Sequence, residues 1–344
     1  MIEIITTKDK WQNLLAKFDT YDVYHTYDYH MITKSENERP ILIKYTNNTT
    51  TIGIPLLLRN IKNTMYRDAT SVYGYSGPLS KGVTKDFDNS RFVEVLTQYF
   101  IKHDVISIFS RLNPFIPNQN KLLKNFGEIL QSGKVVNINL KLDKVIQRQN
   151  YHRRLKNHIN KSRKSCTVIK SNSLDDIDVF MDIYNENMAR VNAQKNYYFK
   201  REYFVKLLES KDFETEIYFA LENTTKKIIS GAMFFKTNSI IQYHLSGTRE
   251  EFLHLMPTKL LIDEMRLNAP CNTFNFLNLG GGLGASENDS LFKFKSSFSD
   301  EHHSFYIWKL ITNKRAYNEI CANNNTLNTD STFFPLYRQN ENVT

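Results

Sequence analysis

An apolar strand that runs straight into a cluster of glycines sets the tightest constraint on this chain. Phe276-Leu277-Asn278-Leu279 reads as strand, and Gly280, Gly281, Gly282 and Gly284 follow at once. Glycine takes up positive φ and lets a backbone or ligand come close, so this strand must end in a sharp turn with an open floor. After a short polar stretch, Lys293 and Lys295 interleave with Phe292, Phe294 and Phe298. A mobile cation beside a glycine turn suits a negatively charged or oxyanionic group. The plainer alternative is an ordinary turn followed by a Phe-x-x-x-Phe packing stripe. Neither G-x-G-x-x-G nor G-x-x-x-x-G-K-[ST] is present, which argues against a dinucleotide fold and a P-loop.

The chain has 344 residues, 41% of them apolar and 24% charged. That is enough for two ordinary domains with real cores. No apolar run approaches the length of a membrane span. The start, Met1-Ile2-Glu3-Ile4-Ile5, lacks the basic and long apolar regions of a signal peptide. Cys166, Cys271 and Cys321 lie far apart and match no metal spacing. The expectation is a reduced, cytoplasmic protein without a metal site. The net charge of +9 is concentrated between Lys144 and Leu174, a window with nine cations and no acid. Such a surface attracts phosphates, unless it is only a solvated linker helix.

Periodicity gives the organisation. A strand at Ile2–Ile5, a helix from Lys8 to Phe18 and a hairpin (41–45 and 52–58) open the first half. A helix near 90–101 and strands near 105–109 and 135–142 close it. The second half repeats the order, with a capped helix from Ser173, a helix near 202–210 and a hairpin (216–221 and 228–235). A strand from Ile240, a helix from Thr258 and strands near 273–279 and 304–310 follow. Gly53 and Gly231 occupy the same point of the two hairpins, so internal duplication is the simplest account. The fold class is therefore α/β (α+β), with mixed sheets flanked by helices. The expected domains are 1–147 and 148–344, with a tail (about 312–344) that packs back on the first.

Several segments, taken in order, resemble the FemABX-like branch of the GNAT acyltransferase superfamily. They are His25-Thr26-Tyr27-Asp28-Tyr29, Tyr73 through Pro78, Phe109 through Pro114 and Arg153 through Asn157. The later ones are Tyr243 through Gly247, the Gly280–Gly284 turn, and Asp289 through Phe298 with Phe294-Lys295-x-x-Phe298. The resemblance covers nearly the whole chain and implies two tandem GNAT-like domains. It implies transfer of an acyl or aminoacyl group to an amine. Family members use aminoacyl-tRNA to build peptide bridges on cell-wall precursors, and related ones sit in surface-polysaccharide pathways. The preferred acceptor is a nucleotide- or lipid-linked amino sugar of the envelope; peptidoglycan bridge formation is the alternative. The resemblance implies no tightly bound cofactor. The acyl donor is a co-substrate: acyl-CoA, an acyl carrier protein or aminoacyl-tRNA. A peripheral membrane contact stays open.

By the same resemblance, Lys295 lies by the donor acyl group with Phe294 as its aromatic neighbour, and Tyr243 faces the site. Lys34 falls near a lysine that clamps acceptor phosphates, and the basic residues of Arg153–Lys161, Arg153 first among them, share that clamp. Arg190, with Tyr198 in the loop after it, resembles an acceptor-side loop, and Tyr75 and Arg111 are further substrate contacts. Amine acylation needs a neutral nucleophile, a route for its proton and stabilisation of an oxyanion. Lys295 supplies the last, helped by the Gly281 and Gly282 amides. Tyr243 bonds the carbonyl, His244 accepts the proton, and Asp289 orients Lys295 or the amine. The competing readings are core packing for His244, a helix cap for Asp289, and solvent exposure for Lys293 in a strand-like register. The junction Ser246 through Thr258 departs from the R/Q-x-x-G-x-G/A pyrophosphate loop of CoA-dependent members, holding one glycine, two glutamates and a proline. A nucleic-acid-binding module and a non-catalytic interaction protein remain the other classes.

Overall fold

The computed structural model describes residues 1–47, 49–324, 326 and 331–342. The chain begins with β1 (Ile2–Ile5), α1 (Lys8–Leu15), α2 (Tyr27–Thr33) and the hairpin β2 (Glu38–Thr46) and β3 (Thr51–Asn60). β4 (Arg67–Thr70), β5 (Leu79–Lys81), α3 (Ser90–Lys102), β6 (Val105–Arg111) and the single turn α4 (Gln119–Leu122) follow. Next come β7 (Glu128–Asn139), α5 (Lys144–Gln149), α6 (Arg153–Ser165), β8 (Cys166–Ser171), α7 (Ile177–Arg190) and α8 (Arg201–Glu209). β9 (Glu214–Glu222), β10 (Ile228–Thr237), β11 (Ile240–Thr248), α9 (Pro257–Asn268) and β12 (Phe276–Gly280) continue the chain. It ends with α10 (Ser290–Ser296), β13 (His302–Ile311) and α11 (Lys314–Asn323). Among the described residues no helix is long and apolar enough to cross a membrane.

The chain divides into two compact units, residues 1–132 with 305–344 and residues 133–304, where periodicity had set one division at 147/148. In the first unit the strands run β1-β2-β3-β4-β6-β13, with β5 beside β3. Every pairing there is antiparallel except β4 with β6. In the second unit the order is β8-β9-β10-β11-β12-β7, antiparallel except β11 with β12. The two sheets share one pattern: a meander, a parallel pair reached through a helical crossover, and a closing antiparallel strand. A parallel pair requires such a crossover, and α3 and α9 provide it.

The repeat extends to single residues. A Cβ added at Gly53 would lie 3.1 Å from the Phe18 ring, and one at Gly231 2.8 Å from the Phe180 ring. In each hairpin the second strand lacks a side chain where an aromatic from an earlier segment lies on it, Phe18 just after α1 and Phe180 in α7. The second unit's main core packs α6 and α9 on the sheet. Leu155, Ile159, Leu260, Leu261 and Met265 meet Phe234, Ile241, Leu277 and Leu279. Tyr151, Leu155 and Ile159 are all buried, as their spacing implies.

Between α6 and α9 lies one wholly buried carboxylate, Asp263. It accepts from Arg148 (2.9 Å), Arg163 (3.0 Å), Arg266 (2.8 Å) and the Tyr151 hydroxyl (3.1 Å). Removing it would leave Arg148 and Arg266 without their anion, while Arg163 would keep Glu264. Asp263→Ala is expected to lower unfolding stability by about 3–5 kcal/mol, read from the urea midpoint by circular dichroism. Loss below about 1 kcal/mol would contradict a structural role for this carboxylate.

Candidate active site

The site of the second unit is built where two parallel strands part. β11 and β12 pair only as Ile240 with Phe276, Ile241 with Leu277 and Gln242 with Asn278. At that last rung the buried Asn278 amide donates to Gln242 (2.8 Å), while its own oxygen accepts from the Gly280 amide (2.9 Å). Beyond it β11 stays paired with β10, and β12 ends at Gly280 with φ 77°. The pairing of the two strands therefore ends before residues 243–245 and the glycine turn.

A bulge in β11 decides which side chains face the core. Tyr243 and Leu245 pair with consecutive residues Phe234 and Met233, which leaves His244 as the extra residue. Tyr243 packs on Phe234 (5.6 Å between ring centroids) and edges the α6/α9 core together with Phe294 and Leu255. After the bulge Ser246 returns to that face and shares a hydrogen bond with the Tyr243 hydroxyl. Burial pushes the Tyr243 phenol up to about 12, against the Ser246 contact, so it stays protonated and can donate. His244 lies on the other face, against Phe235 (4.2 Å) and the Tyr203 hydroxyl (2.8 Å). Burial pushes its imidazole down to about 3. It is neutral at physiological pH and holds an added proton poorly.

α10 brings Lys295 under the glycine turn. Asp289 caps this helix, accepting from the amides of Leu291 (2.7 Å) and Phe292 (3.1 Å). Because residues 290–296 are helical and not extended, Lys293 is exposed while Lys295 is buried. Two positions on a helix differ by about 200°, so the strand-like register expected for these lysines is corrected, with the same outcome for Lys293. The Lys295 ammonium donates to the Gly281 carbonyl (2.7 Å), so the turn offers it an oxygen. Gly282 cannot carry a side chain, since a Cβ there would lie 1.8 Å from Asp289 Oδ2. Burial pulls the Lys295 pKa down to about 8, and the Asp289 charge opposes the shift.

Other expected site residues are spread more widely. Phe294 packs edge-on to Phe298 (5.6 Å). Arg153 is exposed in the first turn of α6, whose preceding His152 amide donates to the Ser297 carbonyl at the end of α10 (2.9 Å). The end of α10 and the start of α6 are therefore neighbours. Arg190 ends α7, exposed and bonded to Asn187 (2.6 Å). Tyr198 is also exposed, in a loop tied down by the Tyr184 hydroxyl on the Tyr197 carbonyl (2.8 Å). Lys34, Tyr75 and Arg111 belong to the first unit. There Lys34 ends α2, Tyr75 packs on Phe305 (5.0 Å), and Arg111 lies over the Tyr73 ring (5.6 Å). Gln242, Asn278, Ser246 and Tyr203 were not singled out by the sequence. The signal for the first two was a polar residue ending an apolar strand run.

The CoA-type junction is also closed. A 3-10 segment over Glu250–Leu255 fills it, the Glu250 amide donates to Glu186 (2.7 Å), and Met256 takes up φ 57° before Pro257. Few amides are left to cradle a pyrophosphate there.

The FemAB family is matched over residues 211–303. No curated protein matches at a significant level. Among solved structures, FemX is similar at a TM-score of 0.71 with 12% identity, covering 92% of this chain and 99% of that one. A conserved protein of unknown function from Bacteroides thetaiotaomicron VPI-5482 reaches 0.60 at 12% identity, over 90% and 100%. The C-terminal domain of a putative lysylphosphatidylglycerol synthetase from Agrobacterium fabrum reaches 0.51 at 12%, over 90% and 92%. The two repeated units make a tandem GNAT-like fold. The FemAB match lies within the second unit, and the likeness to these structures is one of fold.

The buried lysine makes stability depend on pH. Its folded pKa of about 8 lies below the ordinary 10.5, so between these values the unfolded chain binds more protons. Stability due to this group therefore rises with pH across that window, on the order of 3 kcal/mol in all. In urea unfolding from pH 7.5 to 10.5, Lys295→Met is expected to remove this rise relative to the parent chain. Parallel pH profiles for the two proteins would refute a buried ammonium at this position.

Proposed function

We propose that the second unit transfers an aminoacyl group from aminoacyl-tRNA to the primary amine of a cell-wall precursor. The observation that carries this reading is the Lys295 ammonium, buried against the Gly281 carbonyl where β11 and β12 part. The donor carbonyl is held between Tyr243 and the glycine turn. The neutral amine attacks its carbon, and the carbonyl oxygen takes the electron pair. Lys295 and the protonated Tyr243 phenol stabilise that oxyanion; such preorganised groups act strongly in a dry site. The C–N bond then stays and the C–O bond to the ribose breaks. Lys295 gives its proton to the departing oxygen and regains one from the newly acylated nitrogen. A pKa of about 8 suits both transfers at neutral pH.

His244 plays no part in this scheme, because its burial on the opposite face makes it a weak proton acceptor. The filled junction before α9, with Glu250 and Glu251 in place of glycines, supports a tRNA-borne donor over CoA. The FemAB match supports a peptide amine as acceptor over the amine of a nucleotide- or lipid-linked sugar.

The test is mass spectrometry of precursors incubated with the protein and each donor in turn. An amide product from aminoacyl-tRNA is expected, and Lys295→Ala should lower kcat by about 10²–10³ with a smaller change in KM. Product from acetyl-CoA alone would reverse the donor assignment. Acylation of an amino-sugar nucleotide in preference to the peptide precursor would restore the sugar reading. No amide from any donor and amine pair would end the transferase reading. A second expectation concerns Tyr243→Phe, which should cost about tenfold or more in kcat if its hydroxyl meets the oxyanion. An unchanged kcat would leave Tyr243 a packing residue.

A further inference from the structure

The polar residue that interrupts the apolar run of β12 makes two bonds at once. Asn278 is wholly buried, and its side-chain oxygen accepts from the Gly280 amide two residues on (2.9 Å). Asparagine favours such a turn on its own backbone. Between these residues the register of β12 on β7 shifts: Asn278 pairs with Asn137 and Gly280 with Val136, so Leu279 is extra. Asn278 therefore satisfies an amide just past a bulge. A backbone amide can only donate, which fixes the Asn278 oxygen on Gly280 and turns its side-chain NH2 towards Gln242. There it donates to Gln242 Oε1 (2.8 Å), and Gln242 is buried too.

The residues that Asn278 holds are the ones that meet Lys295. Gly280 has φ 77°, and a Cβ placed on it would lie 3.2 Å from Lys295 Nζ. The Gly281 carbonyl accepts from that same ammonium (2.7 Å). A continuous path thus runs from Gln242 in β11 through Asn278 and the glycine turn to the lysine. Glycines alone would not hold this arrangement, because they have the most freedom to leave it. A buried amide bonded on both sides removes that freedom, since breaking either bond leaves a buried polar group unsatisfied. Aspartate at 278 would offer no donor to Gln242, and leucine would offer neither group.

We propose that Asn278, backed by Gln242, is a positioning residue for Lys295: it locks the glycine turn so that the Gly281 carbonyl stays on the ammonium. Neither amide side chain has to touch substrate. The lock keeps Lys295 dry and aimed, and both properties set how strongly an ammonium acts on a developing oxyanion. Asp289, the charged side chain that acts on Lys295, caps α10 and is not part of the path. The lock takes its purpose from the transferase reading, in which Lys295 meets the reacting carbonyl, but its geometry stands without that reading.

The test reads Lys295 directly, without substrate. In the full chain labelled with 13C at lysine Cε, the Lys295 signal is the one lost in Lys295→Met, and its titration midpoint is expected at about 8. Asn278→Leu and Gln242→Met are close in size to the native residues but cannot make these bonds. Each is expected to raise the midpoint by about one unit as water reaches the ammonium, because burial is what depresses it. Leu277→Val, on the same strand but in the α6/α9 core, should lower stability and leave the midpoint where it was. A midpoint unmoved in both amide variants would overturn the lock. So would an equal shift in Leu277→Val, which would make the effect one of general loosening. Should Asn278→Leu fail to fold, Gln242→Met, which leaves the Asn278–Gly280 bond in place, decides alone by the same criterion. With an aminoacyl donor and precursor, Asn278→Leu should also lower kcat about tenfold with little change in KM. A shifted midpoint with unchanged kcat would support the lock and count against Lys295 in the transfer step, so the two readings fail separately.

Discussion

Parallel strands β11 and β12 share three rungs, and the candidate site of the second unit is built where they stop. A parallel pair needs a crossover, here α9. The Asn278 side chain closes the last rung on Gln242 and holds the Gly280 amide, so the parting point is fixed by hydrogen bonds. Past it, one strand is bulged to aim Tyr243 at the core face, and the other turns through glycines that leave room for Lys295. Neither device would help without the other. The bulge sets one wall of the candidate site, and the glycine turn sets its floor.

Charge follows the same economy. The buried Asp263 neutralises the guanidiniums that fasten α6 to α9. Lys295 is likewise buried, and its direct hydrogen-bond partner among the described residues is a carbonyl oxygen. A lysine kept in that state is poised near neutrality, because desolvation disfavours its charge. A structural ammonium would be expected on an acid.

How much of this could be read in advance depends on the range of the interactions. The hairpins 41–58 and 216–235, the α6 stripe Leu155 and Ile159, the crossover helix and the glycine turn are local patterns, and the structure forms them within a few residues. β8 escaped notice because it is an edge strand inside a run of cations, where alternation is weak. β4 escaped because it has four residues, and α2 because its aromatics read as a cluster. The repeat was visible through Gly53 and Gly231, and its physical reason appeared only when Phe18 and Phe180 were found lying over them.

Sequence by itself determined the fold class, the duplication, and the identity of the lysine and glycines at the turn. Those rest on periodicity and on backbone conformations that few residues can adopt. Tertiary structure alone decided that the two lysines lie on a helix where a strand-like register was expected, that β11 is bulged after Tyr243, and which cations of α6 have acids to meet. The reason is that burial and counter-ions come from segments far apart in the chain, such as Asp263 for Arg148. A pattern of neighbours along the sequence does not specify neighbours across the core.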